Sequence, residues 1–87
     1  MLRRIKTVTG YAADARWFAE LGEPLGYIPR QSDIPSPYAY APSHVVYAWR
    51  GRAVIHVETK HRRYEVYDVP RSMIHADESH ILAALTA

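Results

Sequence analysis

The residues from Lys60 to Tyr67 carry the side chains that phosphate chemistry needs. Lys60, His61, Arg62 and Arg63 are followed at once by Tyr64, Glu65 and Tyr67. Cleaving RNA without a metal requires a general base, a general acid and cations around the scissile phosphate. Imidazole, carboxylate and phenol groups can move the protons, while the lysine and arginines hold the charge. If the chain cleaves, the working set is His61, Arg63, Glu65 and Tyr67. If it only binds, phosphates fall to Arg50, Arg52, Lys60, His61, Arg62 and Arg63. Tyr67 then offers a ring on which a base can stack, worth about 1–3 kcal/mol.

The five histidines raise the question of a metal. His56 and Glu58 are two residues apart and share one face of a strand, where a simple register would add His44 and Glu65. His75, Asp77 and His80 crowd together further on. None of these spacings is a ligand pattern, and zinc or iron needs three or four convergent ligands with outer support. The chain has no cysteine, hence no disulfide and no thiolate site. The sequence implies no metal and no cofactor.

These side chains need a scaffold, and residues 44–69 read as a three-stranded antiparallel meander. Val45, Tyr47 and Trp49 alternate with His44, Val46 and Ala48, and Arg50-Gly51 reads as a turn. Ala53, Ile55 and Val57 alternate with Val54, His56 and Glu58, Lys60–Arg63 turns again, and Tyr64–Val69 follows. The expectation is that Tyr47 and Trp49 face the core with Ile55 and Val57, and that Tyr67 looks outward. Residues 2–8 suit an edge strand or an arm. The spacing of Tyr11, Ala15, Phe18 and Leu21 predicts a helix over 10–22, capped by Thr9 and ended by Gly22. Arg16 and Glu20 are placed to pair across one turn, and Asp14 lies oddly near the apolar side.

Five prolines between Glu23 and Pro42 forbid a long helix. The expectation there is a long ordered loop, rich in proline and tyrosine, with a short extended piece at Tyr38–Ala41. Asp77 or Ser79 can cap a last short helix over about 78–86, whose Ile81, Leu82 and Leu85 dock it on the sheet. The fold class expected is α+β, a single domain over 1–87 with a three- to four-stranded antiparallel sheet.

The net charge is only +2, but it is unevenly distributed. Residues 1–6 carry +3 and residues 43–63 carry +4, against negative stretches elsewhere. Exposed charges are screened over roughly 8–10 Å at physiological salt, so a local patch can attract phosphate on a nearly neutral protein. No apolar run approaches the ~20 residues of a membrane span, and Met1-Leu2-Arg3-Arg4 lacks the apolar segment of a signal peptide. A cytoplasmic protein with no membrane partner is expected.

Two resemblances add to this. Val46, Tyr47, Val54, Val57, Tyr64, Tyr67, Val69-Pro70 and Ala76–Ser79 are similar to the KTSC domain, a small module found alone or attached to a lysyl-tRNA synthetase. Tyr64-Glu65-Val66-Tyr67 stands where that family has Tyr-x-Tyr, and the family offers no catalytic residues to carry over. The resemblance implies a non-catalytic module working with RNA or protein. Residues 47–67 also resemble the C-terminal part of RelE/ParE-type toxins, many of them ribosome-dependent mRNA nucleases. That likeness would place Lys60, His61, Arg62, Arg63 and Tyr67 at cleavage or RNA-contact positions.

The functional expectation is a binding module for nucleic acid, RNA above DNA, or for a nucleoprotein complex. The alternatives are a metal-independent mRNA-cleaving toxin and a phage or mobile-element protein that occludes a protein partner. Such a partner would engage residues 34–42 or the edge strand at 2–8.

Overall fold

A computed structural model describes residues 2–35, 43–60 and 63–86. Five strands form one antiparallel sheet: β1 (Arg3–Thr9), β2 (Pro24–Pro29), β3 (Ser43–Trp49), β4 (Arg52–Thr59) and β5 (Arg63–Asp68). Their spatial order is β1-β5-β4-β3-β2. Helix α1 (Tyr11–Glu20) follows β1, and helix α2 (Glu78–Thr86) ends the chain after a 3₁₀ turn at Arg71–Met73. The fold is α+β, as expected.

β4 is central, and its sequence shows why. Ala53, Ile55 and Val57 point to one face and Val54 to the other, and all four are buried. A strand covered on both faces reads as an apolar run rather than a clean alternation. Arg50 and Gly51 both adopt positive φ, 47° and 76°, the combination that suits the twist of a two-residue hairpin. That turn sets Trp49 opposite Arg52 and Tyr47 opposite Val54. Odd residues of β3 therefore share a face with even residues of β4. Tyr47 and Trp49 pack with Val54, not with Ile55 and Val57, correcting the sequence expectation.

α1 covers this first face. Trp17, 1% exposed, is its centre, against Val8, Val54 and Val66. The expected apolar side was turned too far: Tyr11 is 71% and Phe18 49% exposed, while Asp14 is buried. Gly10, not Thr9, holds the cap position, without a side-chain hydrogen bond. Glu20 does not pair with Arg16. It meets Arg50 at 3.5 Å and accepts from the Trp49 indole at 3.2 Å. Because Glu20 reaches Trp49 and the Gly22 amide donates to the Ala48 carbonyl, α1 crosses the sheet diagonally, from β1 to β3.

The second face holds the larger core, in which Leu25, Ile28, Val46, Ile55 and Ile74 are joined by Ile81 of α2. Asp77 caps α2 by accepting from the His80 amide at 3.0 Å. Residues 23–42 are not wholly a loop. Pro24–Pro29 forms β2, paired with β3, and its two prolines sit at the ends of an edge strand, where a missing N–H is tolerated. Tyr38–Ala41 lies outside the described residues.

Candidate anion-binding cleft

Alternation along β5 brings Arg63, Glu65 and Tyr67 to one face of the sheet. Their neighbours on β4 are Thr59, Val57 and Ile55, and on β1 Thr9, Thr7 and Arg4. This is the face that α2 covers, but α2 packs on β2 and β3 and leaves the β1–β5 side open. A cleft of about 510 Å³ lies there, lined by Thr9, Thr59, Lys60, Arg63 and Glu65.

Glu65 is the hub. Its Oε1 meets Nη1 of Arg4 at 3.2 Å, and its Oε2 accepts from the Tyr67 hydroxyl at 2.9 Å. Burial raises the Tyr67 phenol above its ordinary value, and the hydrogen bond and charge of Glu65 raise it further. Tyr67 is therefore a neutral donor at physiological pH. Thr59 donates its hydroxyl to the Arg63 carbonyl at 3.0 Å, fastening the turn. Lys60 and Arg63 thus line the cleft beside one carboxylate whose two oxygens are both engaged, by Arg4 and by Tyr67. Lys60 and Arg63 form no ion pair among the described residues.

The site residues expected from sequence divide. Lys60, Arg63, Glu65 and Tyr67 come together. His61 and Arg62 lie outside the described residues. Arg50 and Arg52 lie at the opposite end of β4, because successive turns of a meander alternate ends, and eight residues of strand span about 25 Å. Arg50 is also occupied, by Glu20 and by the Trp49 ring 5.1 Å away. Tyr67 is 8% exposed, with its ring in the core, so base stacking on it is corrected to hydroxyl donation. Sequence reasoning missed Arg4, Thr9 and Thr59. Their contribution depends on β1 pairing with β5, which no local pattern in β1 announces.

The histidines disperse. His56 and Glu58 lie on the α1 face, with Trp17, while Glu65 and His44 lie on the other. His56 is ringed by Trp17, Phe18, Tyr47 and Tyr64. Burial holds its pKa below the usual value. His44 is lowered too, by burial and by Arg30. Among the described residues no group of three acidic or imidazole side chains is placed to hold a metal ion, and no helix is long and apolar enough to cross a membrane. Compared with protein-family models, curated proteins and solved structures, the chain matches none.

Proposed function

We propose that the protein is a non-catalytic cytoplasmic module that binds nucleic acid, RNA above DNA, alone or in a nucleoprotein complex, through the β1–β5–β4 cleft. The observation that carries this is that Lys60 and Arg63 line one open cleft with Thr9 and Thr59, while its one carboxylate, Glu65, is neutralised by Arg4. Guanidinium and ammonium groups contact phosphates whatever the base sequence. Glu65 serves to hold Arg4 and Tyr67 in place. With both oxygens engaged, it does not stand clear to take a proton from a ribose hydroxyl, which favours binding over cleavage.

The test is anisotropy of a labelled 12-nucleotide single-stranded RNA over stepped salt. Affinity should fall steeply with salt, and Lys60→Ala and Arg63→Ala should each reduce the log–log slope by about 0.7. Binding indifferent to salt and to both substitutions would overturn the reading. Shortening of the RNA on incubation, abolished by Arg63→Ala, would replace it with cleavage.

A further inference from the structure

The sheet has two edges, and they differ. At β2 the edge is blunted: Pro24 and Pro29 lack N–H groups, and the His75 amide already donates to the Tyr27 carbonyl at 2.8 Å. At β1 no strand lies beyond among the described residues.

The hydrogen-bonding phase of β1 follows from its neighbours. The Val69 amide donates to the Ala53 carbonyl at 2.9 Å, and these two lie opposite in the β4–β5 register. In an antiparallel pair, alternate residues bond to alternate sides. Odd residues of β5 therefore bond to β4 and even ones to β1. Arg3, Lys6 and Val8, opposite Asp68, Val66 and Tyr64, turn their backbone groups inward. Thr7 and Thr9, opposite Glu65 and Arg63, turn theirs outward, where no strand of the described residues pairs with them.

Beside this edge runs a groove of about 480 Å³ between β1 and α1, lined by Lys6, Thr7, Thr9, Ala13, Arg16 and Trp17. The Lys6 ammonium is held 5.4 Å from the Trp17 ring and 5.2 Å from that of Trp49. Arg16 is exposed and forms no ion pair among the described residues. The groove's acid, Glu20, is engaged with Arg50 and Trp49.

We propose that the β1 edge accepts an acidic, extended polypeptide as a sixth strand. Its backbone pairs with Thr7 and Thr9, and its alternate side chains enter the groove, where carboxylates meet Lys6 and Arg16. Strand addition takes affinity from main-chain bonds and specificity from alternate side-chain pockets. A second copy of this chain is a poor occupant, since its β1 carries Arg3, Arg4 and Lys6 and no carboxylate to offer Lys6 and Arg16. The bulge between Arg4 and Lys6 and the edge cations also discourage self-pairing. A nucleic acid strand is also a poor fit, because it has no peptide ladder to match amides two residues apart. The groove lies on the α1 face of β1 and the cleft on the other, with Thr9 bordering both.

The test titrates the 15N-labelled protein with a synthetic octapeptide of alternating glutamate and valine, against one of alternating lysine and valine. The acidic peptide should bind at least tenfold tighter, shift the Thr7 and Thr9 amides and slow their hydrogen exchange. Thr7→Pro removes an outward N–H without breaking a β1–β5 bond and should weaken binding tenfold or more. Arg16→Glu, on an exposed helix face, should do likewise. Equal binding of the two peptides, or shifts that avoid β1, would overturn the proposal. So would concentration-dependent dimerisation through the same amides, or their protection by RNA instead of peptide.

Discussion

Trp17 donates its indole N–H to Nδ1 of His56 at 2.9 Å, so that nitrogen is unprotonated and the imidazole is neutral. Burial alone lowers its pKa. An unfolded histidine titrates near 6.5. Below that value the unfolded chain binds a proton that native His56 does not, so stability falls as pH drops. The slope reaches about 1.4 kcal/mol per pH unit for each such histidine, and His44 acts in the same direction. Urea unfolding should therefore show a lower midpoint at pH 5 than at pH 7.5. His56→Gln, which still offers Trp17 an acceptor, should shrink that difference. On the opposite face, Tyr67→Phe should cost about 1.5 kcal/mol through the lost hydrogen bond to a carboxylate, with the Arg4–Glu65 pair retained.

Among the elements, β2 depends on one glycine. Gly26 has φ 152°, and a Cβ there would lie 2.5 Å from Cβ of Ala76 and 2.9 Å from the His75 carbonyl oxygen. Gly26→Ala should destabilise by about 1–3 kcal/mol, read as a lower Tm and as faster exchange of the His75 amide. This strand was also the element least legible in the sequence. Proline at each end concealed it, and its partner lies beyond a long connection, so neither composition nor periodicity revealed the pairing. The meander was legible because its apolar residues and turns are local. Helix α1 was legible in extent but not in orientation, since two candidate stripes overlap and the burial of Trp17 decides between them. At the cleft, Arg63, Glu65 and Tyr67 could be grouped from their spacing along one strand. Arg4 could not, because it is brought there by a contact across 61 positions.

For the whole molecule, charge placement matters more than charge total. The two basic turns occupy opposite ends of β4, so they cannot form one patch. If the cleft binds RNA, changing Arg50 and Arg52 together to alanine should leave affinity within about twofold. Changing Lys60 and Arg63 together should lower it at least tenfold at 50 mM salt, roughly 1.4 kcal/mol or more. The Arg50–Glu20 pair is exposed, and its loss should cost well under 1 kcal/mol of stability. Equilibrium RNA titrations of the two double variants, with unfolding curves alongside, separate these outcomes.

The unequal margins of the sheet limit how far it can grow. One margin lacks N–H groups at Pro24 and Pro29 and is capped at Tyr27 by the chain's own His75. Whatever extends the ladder must therefore do so from the other side. The β1 margin in turn carries Arg3, Arg4 and Lys6 and a bulge, which work against pairing with a second copy. The fold thus works as a chain stopper, and copies of it should not stack edge to edge into fibres.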